Sequence, residues 1–336
     1  MKVNPTIIVA EAGVNHDGHL NQAIELIEIA ADSGADLVKF QTFCADRLVL
    51  PGTKKAEYQS VNSSSDESQY EMLSRLELSR VDHEILIKHC EKLGIGFFST
   101  GFDTVSLDML FELGQSLFKI PSGEITNLPY LRHVGSFGKP VVMSTGMASL
   151  SEVGAALDVL EKSGTPREII TVLHCTSEYP ANITTVNLRA LSTIRESFNV
   201  NVGYSDHTLG IEVAIAAVSL GASLIEKHVT LDRTLEGPDH AASLEPHELK
   251  SMISAIRNIE SAFGDGVKSP THHEVINARV VRKSIVTACP IRAGEPFTTK
   301  NLTTKRPGSG VSPMLLDKIL GTLATRDYQE NEMIIL

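Results

Sequence analysis

Tyr204-Ser205-Asp206-His207-Thr208, a small apolar run over Leu209–Leu220, and Ile225-Glu226-Lys227-His228 together decide how this 336-residue chain is read. His207 follows one short apolar run (Val200, Val202, Tyr204) and His228 follows another (Leu224, Ile225). The Ala/Ile/Val texture between them is that of a buried helix. A strand–helix–strand unit places its two strands parallel and adjacent, with both C-terminal ends on one rim. Neighbouring strands lie about 4.8 Å apart, so both imidazoles are within reach of one divalent ion. Two histidines hydrogen-bonded at strand ends are the plainer alternative, and the pair alone does not choose between them.

The rest of the chain repeats this unit. Eight apolar runs, near 6–11, 36–42, 95–100, 116–121, 140–145, 169–175, 200–204 and 222–228, alternate with segments of helical apolar spacing. Several of those segments end in Ser-Gly or Leu-Gly, a helix stop. Eight such units over about 265 residues have the length and rhythm of a closed (β/α)8 TIM barrel. An open doubly wound sheet is the alternative, although no Gly-x-Gly-x-x-Gly follows the first strand. The expected domains are a catalytic barrel over 1–265, a linker over 266–281 and a small β-rich domain over 282–336. The last is too short for a strong core of its own and is expected to lean on the barrel or on a partner. A long polar connection over 46–80, with Lys54, Lys55 and Ser63–Ser65, reads as a substrate lid.

Composition excludes other classes. A net charge of −11 argues against non-specific nucleic-acid binding. No apolar run approaches the roughly 20 residues of a membrane span, and the beginning of the chain lacks a secretory pattern. The four cysteines are scattered without metal or disulfide spacing, which suits a reducing cytoplasm.

In a barrel the strand C-termini carry the active site. Read off those ends, the candidate rim residues are Glu11, Asn15, His16, Lys39, Gln41, Ser99, Thr100, Lys119, Ser122, Glu124, Ser144, Thr145, His174, Thr176, Ser177, Ser205, His207, Lys227 and His228. Lys39 and Lys119 sit within apolar strands, and a buried lysine is costly without an anion. With the nearby hydroxyls they could cradle a phosphate and a carboxylate. They could equally pair internally with Glu11 or Glu124. A Schiff-base lysine is a further possibility, which the histidine pair disfavours.

Ala-Glu-Ala-Gly-Val-Asn-His (10–16), Val-Lys-Phe-Gln-Thr (38–42), Phe-Lys-Ile-Pro-Ser-Gly-Glu (118–124), Ser-Thr-Gly-Met (144–147), Leu-His-Cys-Thr (173–176), Tyr-Ser-Asp-His-Thr (204–208), Glu-Lys-His (226–228), Gly-Pro-Asp-His (237–240) and Lys-Arg-Pro-Gly-Ser-Gly (305–310) together resemble the sialic acid synthase family. The resemblance spans essentially the whole chain and gives the last domain an antifreeze-like (SAF) fold. It implies condensation of phosphoenolpyruvate with an N-acylated mannose-type sugar, phosphate release, a Mn2+ or Mg2+ cofactor, and a homodimer with swapped C-terminal domains. It further implies that His207 and His228 hold the metal and that Glu11 and Glu124 manage protons and water. Lys39, Thr100, Lys119, Ser122, Ser144 and Ser205 would bind phosphoenolpyruvate. Gln41, Ser177, Tyr179 and Asp239 would contact the sugar, and Arg306 of the partner copy would reach its N-acetyl group. Gly101 and Ser177 depart from the N-acetylneuraminate pattern, where Pro and Asn are usual. Both are smaller, so the pattern looks more like legionaminate synthesis from 2,4-diacetamido-2,4,6-trideoxymannose, with N-acetylmannosamine as the alternative. A carbohydrate- or ice-binding protein is the non-enzymatic rival, against which Lys305 and Arg306 stand.

Overall fold

The computed structural model describes residues 5–56, 59 and 67–336. The chain divides into two compact units, Met1–Phe263 and Gly264–Leu336. In the first, eight strands alternate with helices: β1 Ile7–Gly13, β2 Leu37–Thr42, β3 Gly96–Gly101, β4 Phe118–Ile120, β5 Val141–Ser144, β6 Ile170–Cys175, β7 Asn201–Asp206 and β8 Leu224–His228. Their order is β3-β2-β1-β8-β7-β6-β5-β4 with parallel pairing throughout. β3 and β4, the two ends of that order, are neighbours in space, so the sheet curls into a TIM-like barrel.

The strands are apolar on both faces because helices cover the outside and side chains fill the inside. Helices such as Leu20–Ser33 and Leu150–Ser163 lay Leu26, Ile27, Leu157 and Leu160 against the outer face of the sheet. Ser149 and Ser79 open their helices with reciprocal caps, and Gly34 and Gly94 close theirs at φ 86° and 72°, where a side chain would be strained.

Inside the barrel, Val9, Phe98, Val142, Leu173 and Leu224 form one apolar layer, with Leu37 and Leu117 packed against it. Two residues further along seven of these strands, on the same face, come Glu11, Lys39, Thr100, Lys119, Ser144, Cys175 and Glu226. Period-two alternation therefore stacks a polar layer directly on a dry one. β1 carries a register shift between Glu11 and Gly13, which brings Gly13 level with Phe40.

Part of the expected lid is described. Ala45–Leu48 and Gln69–Leu76 are helical, and Leu48, Met72, Leu73 and Leu76 face the barrel mouth. The Ser63–Ser65 portion lies outside the described residues. Among the described residues, no helix is long and apolar enough to cross a membrane.

The second unit holds the helix His272–Val281 within the stretch expected as linker, then β9 Ser284–Thr287 antiparallel to β10 Leu302–Lys305. Its own small core gathers Ile285, Ile291, Phe297, Leu302, Ile319, Tyr328 and Ile334.

Candidate active site

A cavity of about 600 Å³ opens at the C-terminal ends of the strands. The barrel residues to which the family resemblance gives a role line it: Glu11, Lys39, Gln41, Thr100, Lys119, Ser122, Glu124, Ser144, Ser177, Tyr179, Ser205, His207, His228 and Asp239. Arg306 belongs to the second unit, where it is exposed and its Nε donates to Val281 O at 2.8 Å.

The floor is a buried ionic network. Lys39 Nζ lies 2.8 Å from Glu11 Oε2 and 3.7 Å from Glu226 Oε2, and donates to Thr100 Oγ1 at 3.0 Å. Lys119 Nζ lies 3.4 Å from Glu226 Oε1 and donates to Ser144 Oγ at 2.5 Å. Ser205 Oγ donates to Glu226 Oε1 at 2.9 Å. Glu226 thus sits between the two lysines. It was not singled out in the sequence, because its neighbours Lys227 and His228 drew the reading; its position two residues before His228, on the same face, was the available signal.

The two carboxylates are shifted in opposite directions. Burial raises the Glu226 pKa, but Lys119 and Lys39 outweigh it and hold the group down to about 2. Burial pushes Glu11 up to about 7, with Lys39 opposing and Glu226 reinforcing. Burial would lower Lys39, yet Glu11 and Glu226 leave it raised. Burial lowers Lys119, with Glu226 opposing, and when Glu11 takes up its proton the two lysines face a single ionised carboxylate, an arrangement that can accept an anion.

Two imidazoles stand above the floor, with His207 and His228 ring centroids 5.5 Å apart. His207 Nδ1 meets the Thr176 carbonyl at 2.7 Å. A carbonyl only accepts, so Nδ1 carries the proton and Nε2 keeps its lone pair. His228 Nδ1 is buried without a hydrogen-bond partner, 3.8 Å from Asp239 Oδ2. Burial lowers both histidines, and His207 depresses His228 further. Neutral imidazoles with one unmet nitrogen suit a divalent cation. Among the described residues no three His, Cys, Asp or Glu side chains converge as a ready-made metal site. The pair therefore offers two ligands and leaves further positions to solvent or substrate.

The walls are mixed. Tyr179 lies against His207 at 4.2 Å between ring centroids. Asp239 is pushed up to about 6 by burial, against His240 and Lys39. Glu124 accepts from Asn127 Nδ2 at 2.6 Å at the edge of the cavity. Ser122 Oγ accepts from Gly146 N at 2.9 Å.

Several residues named from the sequence face the other way. Lys227 points out of the barrel onto Asp206 at 2.6 Å, with both side chains at 0% exposure. Ser99 bonds Thr42 Oγ1, and His174 Nε2 donates to Val186 O, both on the helix side. Asn15 ties Val229 O to Ser243 Oγ, and His16 accepts from Gly18 N. Gly101 is a correction of more consequence: a Cβ there would meet Leu107 at 3.0–3.1 Å, not the cavity. Its small size makes room for a core leucine and not for the sugar. Ser177 does line the cavity, and Gly146 gives its hydroxyl the space it fills, since a Cβ there would lie 2.1 Å from Ser177 Oγ.

Comparison with known proteins agrees with this architecture. The NeuB family matches residues 26–268 and the SAF domain matches residues 282–334. The N,N'-diacetyllegionaminic acid synthase of Campylobacter jejuni is 53% identical, over 98% of this chain and 98% of its own. That of Legionella pneumophila is 47% identical, over 94% of this chain and 89% of its own. The crystal structure of the N-acetylneuraminic acid (sialic acid) synthetase of Leptospira borgpetersenii superposes with a TM-score of 0.72 at 35% identity, covering 82% of this chain and 90% of that one. With a family match across most of the barrel and near-full-length relatives, the chain belongs to the NeuB family.

Proposed function

We propose that this protein condenses phosphoenolpyruvate with 2,4-diacetamido-2,4,6-trideoxymannose, releasing phosphate and forming N,N'-diacetyllegionaminic acid. The observation that carries this reading is one cavity in which a lysine-rich floor lies beneath two neutral imidazoles. The floor suits the phosphate and carboxylate of the enolpyruvyl substrate, held by Lys39 and Lys119 with Thr100, Ser122, Ser144 and Ser205. A bound Mn2+ or Mg2+ on His207 and His228 would polarise the sugar aldehyde. Glu11, raised by burial, holds a proton beside that aldehyde and can donate it as the new carbon–carbon bond forms. Glu124 sits at the cavity edge, where it can orient the water that attacks C2 of the enolpyruvyl group. Carbon–oxygen cleavage then expels phosphate, and the fixed ammonium groups stabilise the anionic tetrahedral intermediate before it.

Gln41, Ser177, Tyr179 and Asp239 would contact the sugar. Arg306 of a second copy would reach the N-acetyl oxygen in a homodimer with swapped C-terminal domains, working in the cytoplasm. The diacetamido sugar is favoured over N-acetylmannosamine by the two relatives at 53% and 47% identity and by the small Ser177 side chain. Phosphate release, measured with each sugar before and after chelation, tests the reading. We expect the diacetamido sugar to be turned over at least about tenfold faster, one extra pocket contact or more, and chelation to abolish release until Mn2+ is restored. Comparable rates or the reverse preference would overturn the choice of sugar. Release indifferent to chelation would overturn the metal.

A further inference from the structure

The two histidine motifs face each other rung by rung where β7 and β8 run side by side. Ser205 stands opposite Glu226 and Asp206 opposite Lys227, and one step further His207 and His228 bring their rings together. The first and third rungs line the cavity. The middle rung points away from it, because side chains alternate across a sheet.

Lys227 Nζ lies 2.6 Å from Asp206 Oδ2 and donates to Thr208 O at 2.7 Å. Asp206 Oδ1 accepts from Thr208 N at 2.9 Å and from Thr208 Oγ1 at 2.8 Å. His207 is therefore straddled: the residues before and after it are both tied to the lysine that precedes His228. A fully buried ion pair is weak as a source of stability, and apolar residues of similar volume often replace one without loss. Two charges kept dry at this point call for a role other than holding the barrel together.

We propose that Asp206 and Lys227 are positioning residues that fix the spacing and rotation of His207 relative to His228, and so set how tightly the two imidazoles hold a divalent cation. The inference rests on the reading of that histidine pair as metal ligands. Strand ends are where a register loosens, and metal ligands tolerate errors of only about 0.2 Å. The pair is tied to the backbone on both sides of His207, and because it is neutral overall its removal changes no net charge near the cation; its opposed charges act on the two imidazoles in opposite directions.

The test is Mn2+ titration of the full-length, chelator-stripped protein, followed by electron paramagnetic resonance of the free ion, for the wild type and for Asp206→Leu/Lys227→Met. The double variant is expected to melt below the wild type, because Thr208 N, Oγ1 and O lose their buried partners, yet to stay folded at room temperature and to keep wild-type affinity for phosphoenolpyruvate. Its Mn2+ affinity is expected to fall by about tenfold or more. A merely structural role would weaken phosphoenolpyruvate binding as well. Wild-type Mn2+ affinity in the folded double variant would overturn the proposal. Should that variant fail to fold, Thr208→Val, which loses only the hydroxyl bond to Asp206, carries the test. About threefold weaker Mn2+ binding is expected for it, and unchanged affinity would overturn the proposal. A wild type that binds no Mn2+ would instead overturn the metal reading itself, a result distinct from equal binding by wild type and variant.

Discussion

At the scale of single residues, the site is a matter of which carboxylate keeps its proton. Glu226 is ionised because two lysines face it, and Glu11 is raised because burial outweighs its one close lysine. Replacing Glu226 by Gln leaves both ammonium groups with less compensation. We expect phosphoenolpyruvate to bind at least as tightly by calorimetry, while kcat falls by about 100-fold, the scale of losing a preorganised electrostatic group. Weaker binding with unchanged kcat would mean that Glu226 serves the fold and not the chemistry. His16 gives a separate test of buried charge. It is fully buried and accepts from Gly18 N, and burial pushes it down to about 4. The unfolded chain therefore takes up the proton first, so stability present above about pH 6.5 is lost as pH falls toward 4, about 3 kcal/mol in all. Denaturant melts across this range should show a shallower decline for His16→Gln than for the wild type.

At the scale of elements, the barrel interior is built in layers, and a layer tolerates little added volume. Gly203 on β7 has no side chain because Leu173 and Leu224 fill its place; a Cβ there would lie 2.5 Å from Leu173 Cδ2 and from Leu224 O. Gly203→Ala is expected to destabilise the barrel by about 1–3 kcal/mol by overpacking, read as a lower thermal midpoint. The strands themselves were legible, since each apolar run of the sequence became one. Which face of a strand turns inward was not. A parallel strand is apolar on both sides, so alternation leaves two equivalent phases until the closed barrel selects one. That is why Lys39 and Lys119 were placed correctly while Lys227, in an equally apolar strand, was put on the rim. It is also why Gly101, one residue past the inward Thr100, was assigned to the sugar when it faces Leu107.

At the scale of the whole molecule, an acidic protein of net charge −11 turns two of its buried lysines, Lys39 and Lys119, into one cavity, where the proposed anionic substrate would sit. Arg306 tests whether a second copy completes that cavity. Arg306→Ala is expected to raise the KM for the sugar by about tenfold, a charge-assisted hydrogen bond's worth, and to leave that for phosphoenolpyruvate unchanged. An unchanged sugar KM would remove the C-terminal unit from the site. The proposed condensation has a more direct reading in the fate of one oxygen. Phosphoenolpyruvate labelled with 18O at the bridging position, incubated with the diacetamido sugar and Mn2+, should give a nine-carbon 2-keto acid by mass spectrometry, with the label in the released phosphate. A label retained in the keto acid, or the absence of any nine-carbon product, would contradict it.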